Sequence, residues 1–283
     1  MSTDTPPSFV VPVMRLGYAA RGITYAITGS LALTAALWSG NAEGTTGALA
    51  TLRAAPWGTA LLWVIALGLI CYCLWRLICA AYDLEDEGTD AKGLVARAGQ
   101  TVTGLLHAGI GLSVAGLALG GGSGGGSGAQ DWTQRLMALP YGKAVVIAAG
   151  LVTICAGIYY AHKGLSEKYK SALRLTPTTR RLNPVMKFGF VAQGGVIGII
   201  GALIVLAGWT ADASEAGGVG AALDQLRGVA YGRILLGVTA LGLIAFAVEN
   251  FVEAAYRIVP RCADPEIKTL ATRAKDKARE AAA

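Results

Sequence analysis

Six stretches of the chain stay apolar long enough to cross a bilayer: about 17–39, 58–82, 99–120, 142–162, 188–209 and 232–255. Each comes close to the roughly 20 residues that a spanning helix requires. Polar residues, glycine and proline gather between them. No alternating pattern of about ten-residue strands competes, so the periodicity predicts an all-α membrane bundle and not a barrel.

Composition strengthens this reading. With 54% hydrophobic and 15% charged residues, the chain is too apolar for an ordinary water-soluble domain. The opening "MSTDTPPSFVVPVMR" is polar and proline-bearing, with no basic start and no small-residue cleavage site, so the first apolar stretch is expected to be a retained span. Cys71, Cys73, Cys79 and Cys155 fall inside predicted spans and Cys262 follows the last one. They form no CxxC pair and no disulfide framework, which leaves them as small polarizable packing residues.

The formal charge of +6 comes from 24 Lys and Arg against 18 Asp and Glu, and its distribution is informative. With the N-terminus inside, the outer linkers hold Arg53, Arg135, Lys143, Arg227 and Arg233, Arg76 lies within a span, and about 18 of the 24 are inner. The positive-inside rule therefore places both termini in the cytoplasm. The basic runs contain little aromatic interleaving and sit at span ends, so topology explains them and nucleic-acid binding is not expected.

The chain repeats itself three times. "RLGYAARGITYAITG" from Arg15 aligns with "RAGQTVTGLLHAGIG" from Arg97 and "KFGFVAQGGVIGIIG" from Lys187, at offsets of about 82 and 172 residues. This brings Gly17, Gly99 and Gly189 into register, then Gly22, Gly104 and Gly194, then Gly29, Gly111 and Gly201. Glycines at such positions let neighbouring helices approach closely in lipid. The even-numbered helices repeat through "APWG", "LPYG" and "VAYG", at offsets of about 84 and 174. Leu52, Leu136 and Leu226 precede them in register, and Trp57, Tyr141 and Tyr231 fall where an interfacial aromatic belt belongs. Each unit crosses twice, so all three share one orientation, and the simplest assembly is three tandem hairpins related by a pseudo-threefold axis along the membrane normal.

These residues resemble a bacterial membrane-protein family known as domain of unknown function 1206. The resemblance rests on Arg15, Gly17, Tyr18, Ala20 and Gly22 with their repeats, on Gly47 to Leu49, on Pro56 to Gly58, and on Trp75 and Arg76 ahead of Asp83. The second copy departs most, with Gln100 and Thr103 in place of Tyr18 and Arg21. The resemblance implies a plasma-membrane protein of three two-span repeats and supplies no activity and no catalytic residues. The units read as an N-terminal cytoplasmic segment (1–14), hairpin repeat 1 (15–83), an acidic cytoplasmic linker (84–96), repeat 2 (97–167), a basic cytoplasmic linker (168–186), repeat 3 (187–257) and a charged helical tail (258–283).

Positions that differ between copies are where a threefold shape could recognise an asymmetric ligand. Tyr18, Gln100 and Phe190 correspond, as do Arg21, Thr103 and Gln193, and Tyr25, His107 and Ile197. Spaced three and then four apart, they share one helical face. On the returning helices Trp75, Tyr159 and Glu249 correspond, then Arg76, Tyr160 and Asn250, then Cys79, Lys163 and Glu253. Both stripes are expected to line the inner half of the bundle. A mid-span Arg costs about 2.5 to 3.5 kcal/mol on insertion scales. Arg76 is therefore read as ion-paired with Glu249 and Glu253, as snorkelling to headgroups, or as part of a ligand or proton site. Arg21 is either a headgroup anchor or a substrate contact, and His107 either a hydrogen-bonded core group or a proton relay.

No catalytic chemistry stands out. There are two histidines, His107 and His162, no HExxH and no P-loop, so no metal and no cofactor are expected. The run Gly120 to Gly128 satisfies GxGxxG and GxSxG, but it follows no strand, and Ser123 has no histidine placed as a base. Its position, matched by a linker in every copy, makes it an outer loop of repeat 2 and not a domain boundary. The tail from Asp264 reads as a solvated cytoplasmic helix or a membrane-surface or partner-binding one. Two functional readings stay open: a transporter or channel-like protein with a cytoplasm-facing pocket for a small polar or anionic solute, and a non-transporting scaffold or accessory subunit. The bilayer is the one partner both share. The second adds a protein partner or a homo-oligomer, for which Gly116-x3-Gly120 and Gly194-x3-Gly198-x3-Ala202 are candidate faces.

Overall fold

A computed structural model describes residues 9–38, 45–53, 55–121 and 127–260. The proposed tail helix after Asp264, Cys262, the first eight residues and most of the glycine-serine run lie outside the described residues. Among the described residues the chain is all helical, with one antiparallel bridge between Leu173 and Arg257. The long helices are α1 (Val10–Trp38), α3 (Gly58–Tyr82), α4 (Ala91–Ala118), α6 (Gly142–Leu165), α8 (Asn183–Thr210) and α10 (Gly232–Tyr256). Shorter helices α2 (Thr45–Leu52), α5 (Ser127–Met137) and α9 (Val219–Gly228) precede the returning helices, and α7 (Pro177–Arg181) lies between α6 and α8.

Helices α3, α4, α6, α8 and α10 are long and apolar enough to cross a membrane. α1 matches them in length but carries Arg15, Arg21 and several threonines. Pro12 sits in its first turn, where a missing N–H costs nothing. α4 starts at Ala91, inside the acidic segment, because the Asp90 side chain accepts from Gly93 N at 2.9 Å and caps it. Thr176 and Thr179 form a capping box around Pro177 that starts α7.

Each returning helix begins with the aromatic-Gly pair. A Cβ at Gly58 would fall 1.7 Å from Leu52 O, at Gly142 2.0 Å from Leu136 O, and at Gly232 2.1 Å from Arg227 O. Only glycine fits this corner, and Tyr141 and Tyr231 reach it with φ of 61° and 60°. The aromatic rings stay exposed, as an interfacial belt requires.

The long helices pack as α1 with α3, α3 with α4, α1 with α10, α8 with α10, and α6 with α8. The order across the bundle is thus α4, α3, α1, α10, α8, α6. Close packing rests on small residues. An added Cβ at Gly111 would lie 3.1 Å from Ala66 O, at Gly201 2.7 Å from Ile154 N, and at Gly29 3.0 Å from Ala240 O. Gly157 and Gly194 bring α6 and α8 equally close. The small face at Gly194 is therefore an internal helix contact, whereas Gly116 faces open space.

Candidate functional site

The first stripe converges on Arg21. This side chain is 5% exposed, although it lies in the apolar body of α1. Its Nη1 donates to the Tyr72 hydroxyl of α3 at 3.2 Å. Its guanidinium lies 5.1 Å from the Tyr72 and Phe246 ring centroids and 5.4 Å from that of Tyr25. Three helices thus build an aromatic cage around one cation, an arrangement whose contacts strengthen where water is excluded. Tyr25 stands edge-on to Phe246 at 4.9 Å, and its hydroxyl accepts from Gln193 Nε2 of α8 at 3.0 Å. Tyr160 of α6 packs near Phe190 and Phe246.

His107 of α4 stacks tilted on Tyr72 at 4.7 Å. Its Nδ1 is 2.8 Å from Thr103 O. A carbonyl can only accept, so Nδ1 carries the hydrogen. Thr103 itself donates to Gly99 O at 2.7 Å and stays on its own helix.

One layer away lies an ion network. Glu85, in the loop after α3, accepts from Arg257 Nη2 at 2.6 Å and from Arg76 Nη1 at 3.4 Å, while its second oxygen accepts from Gln100 Nε2 at 3.1 Å. Arg257 also pairs with Glu253 and lies over the Tyr18 ring at 5.4 Å. Burial opposes ionisation of Glu85, but Arg257, Arg76 and Lys163 outweigh it and hold the carboxyl at about 2. The backbone fixes Arg257 in place: Arg174 N donates to Tyr256 O and Ile258 N to Ala172 O, both at 2.8 Å, tying the segment after α6 to the end of α10.

The expected partners of Arg76 are corrected here. Arg76 pairs with Glu85, while Glu253 pairs with Arg257. The Asp83 carboxylate accepts from Glu87 N and Gly88 N, folding the loop back so that Glu85 points at Arg76. Tyr18, Arg21, Tyr25, Arg76, Gln100, His107, Tyr160, Gln193 and Glu253 are brought into this aromatic and ionic core. Trp75 and Glu249 are fully buried beside it, and Asn250 donates back to Phe246 O at 2.7 Å. Glu85, Arg257, Tyr72 and Phe246 were not singled out from the sequence. Tyr72, Ala156 and Phe246 stand at one offset in the three returning helices, and this mismatch between copies was the available signal.

Among the described residues, eight buried polar atoms in this core have no hydrogen-bond partner: Arg21 Nε, Trp75 Nε1, Arg76 Nε, Gln100 Oε1, Gln193 Oε1, Glu249 Oε2, Asn250 Oδ1 and Arg257 Nε. Native interiors satisfy such groups with ordered water or a bound molecule. Cations Arg21, Arg76, Lys163 and Arg257 stand among carboxylates Asp83, Glu85, Glu249 and Glu253. Chemically the region offers hydrogen bonds and charges of both signs in a low-dielectric setting.

A family model described as Domain of Unknown Function (DUF1206) matches the chain three times, over residues 16–83, 98–167 and 188–257. The second match runs across the glycine-serine segment. The chain is similar to "Uncharacterized protein YxxB" of Bacillus subtilis (strain 168), with 29% identity over 247 residues, covering 86% of this chain and 90% of the relative. No solved structure matches.

Proposed function

Because the chain belongs to the DUF1206 family, a family of membrane proteins by its repeated apolar helices, we propose that it is a six-span plasma-membrane protein that takes up a small polar or anionic solute in a cytoplasm-facing core and passes it across the bilayer. In this reading α1 is the sixth span, and both termini are cytoplasmic because the basic segments flank one end of the helices.

A pseudo-threefold axis along the membrane normal accounts for the contacts between repeats. Gly111 meets positions 66 and 70, Gly201 meets 150 and 154, and Gly29 meets 240 and 244. These are the same places on the three returning helices. Around the inner end, Glu85 reaches Gln100, Tyr169 stacks on Phe190 at 4.8 Å, and Val259 joins the cluster of Tyr18. Each repeat thereby contacts the stripe of the next, and the third returns to the first.

The observation that carries the solute reading is the convergence of the eight unpartnered buried atoms around Arg21 and the Glu85 network. Solid-supported-membrane electrophysiology on proteoliposomes, with phosphate, acetate and chloride as probes, tests it. A current with at least one anion that disappears in Arg21→Gln supports the reading; no current with any of them rejects it for these anions. No catalytic motif accompanies the core, and we take the protein not to be an enzyme. A scaffold or accessory role is favoured by Gly109 and Gly116 of α4, around which an added Cβ would meet nothing within 4 Å. Stoichiometric copurification of a partner without flux would select that role.

A further inference from the structure

The hairpin of repeat 2 is built differently from the other two. In repeat 1 an added Cβ at Gly17 would lie 2.5 Å from Tyr72 Cα, and one at Gly68 2.3 Å from the Ala20 methyl. In repeat 3 Gly189 meets Phe246 N at 2.5 Å, and Gly242 meets the Ala192 methyl at 2.1 Å. The matching positions in repeat 2 are Gly99, which meets nothing within 4 Å, and the pair Val102 and Val152, which are 56% and 69% exposed. Where the other repeats place an Ala–Gly contact, repeat 2 carries two exposed valines, whose branched side chains do not allow the same close approach. Tyr159 is 58% exposed where its counterparts Trp75 and Glu249 are buried. The seam between α4 and α6 is thus parted, while the equivalent seams between α1 and α3 and between α8 and α10 are shut.

What lies behind the parted seam is cationic. Tyr160, next to Tyr159, packs near Phe246, and Phe246 lies under Arg21. His107 on the facing helix stacks on Tyr72, which accepts the hydrogen bond of Arg21. Arg21 keeps an unpartnered Nε at 5% exposure. One turn beyond Tyr159, Lys163 forms no ion pair among the described residues, and its Nζ lies 5.3 Å from the Phe190 ring. Glu249 and Glu85 share this core with the two cations, but neither Arg21 nor Lys163 forms an ion pair among the described residues. Apolar walls with such cations at one end match a molecule that has an acyl chain and an anionic head.

We infer that the seam between α4 and α6 is a lateral entry through which an anionic bilayer amphiphile, with a phosphate or carboxylate head, reaches Lys163 and Arg21. This rests on the membrane-spanning reading and names the ligand class and route for the same core. The two valines do not allow the seam to close, and the acyl chain fills the space that Ala and Gly contacts close in the other repeats.

The test uses the full chain in phosphatidylcholine nanodiscs, with thermal unfolding followed by tryptophan fluorescence. Doping with phosphatidic acid should raise the midpoint, and inorganic phosphate in the buffer should not. Lys163→Gln should weaken the phosphatidic acid response by about tenfold in concentration. Val102→Ala combined with Val152→Gly, which restores the contact used by the other repeats, should keep the fold and abolish the response. An equal shift with inorganic phosphate, or an undiminished shift in the double variant, overturns the inference. Flux of a water-soluble anion with no lipid response removes this inference and leaves the transport reading standing. A lipid response without flux does the reverse.

Discussion

Glu85 and Arg257 are 172 residues apart in the chain and 2.6 Å apart in the structure. One follows α3 and the other follows α10, so their contact joins the first repeat to the third. Gln100 on the other Glu85 oxygen adds the second. Removing one partner of a buried, hydrogen-bonded pair leaves a desolvated charge behind, at a cost of about 3–5 kcal/mol. Glu85→Leu should therefore lower the thermal midpoint sharply. Adding Arg257→Met should recover part of the loss, which a double-mutant cycle of melting curves would register as coupling.

The same carboxyl gives the stability a pH dependence. Its folded value of about 2 lies below the ordinary 4.5. Its contribution is therefore complete above about 4.5 and is lost as pH falls from there towards 2, because the unfolded chain binds the proton first. Melting curves from pH 6 to pH 3 should show a steeper fall for the native chain than for Glu85→Gln. Parallel slopes would contradict the assignment.

The α6–α8 contact depends on absent side chains. A Cβ at Gly201 would fall 2.7 Å from Ile154 N and 2.9 Å from Gly150 O, both rigid backbone. Gly201→Ala should destabilise by about 1–3 kcal/mol. Gly116→Ala, with open space around it, should be neutral or stabilising by up to about 1 kcal/mol through helix propensity. Unfolding of the two variants side by side measures the contrast.

Tyr72 carries the hydroxyl that accepts from Arg21. Tyr72→Phe keeps the ring beneath the guanidinium and removes that acceptor, at a cost of about 1–3 kcal/mol. Tyr25→Phe should likewise strand Gln193 Nε2. If Arg21 binds an anion, Tyr72→Phe should tighten anion binding, since the freed N–H turns to the ligand. Titration of intrinsic fluorescence with each anion measures the direction.

The segment "GGGSGGGSG" falls within the second family match. Replacing it with the shorter linker of repeat 1 should leave membrane insertion and melting unchanged, because its part is to span from α4 to α5. Loss of insertion on a fluorescence-detected gel-filtration trace would assign the segment a larger role.

The helices and repeats were legible in the sequence because lipid imposes a harsh, local rule: every backbone group must be satisfied within its own segment. The apolar windows accordingly reappear as helices, the returning ones with nearly the same limits, while α1, α4 and α8 begin five to eight residues before their windows, in more polar sequence that the apolar pattern does not mark. Glycine recurs where helices touch. The polar stripe was legible too, since residues three and four apart share a face whatever lies opposite. The partners across that face were not. Arg76 has Glu249 and Glu253 at equivalent heights on another helix, yet it turns to Glu85, because the Asp83 turn brings the loop back over it.

The parted seam has the same character. Val102 and Val152 can be read beside Ala20, Gly68, Ala192 and Gly242, but each is an ordinary apolar residue in an apolar helix. Periodicity along one segment determined the helices, the threefold repetition and the faces that carry charge. The partner of each cation, and which hairpin stays open, are set by contacts between segments far apart in the chain, and those depend on shape in three dimensions, which only the tertiary structure decides.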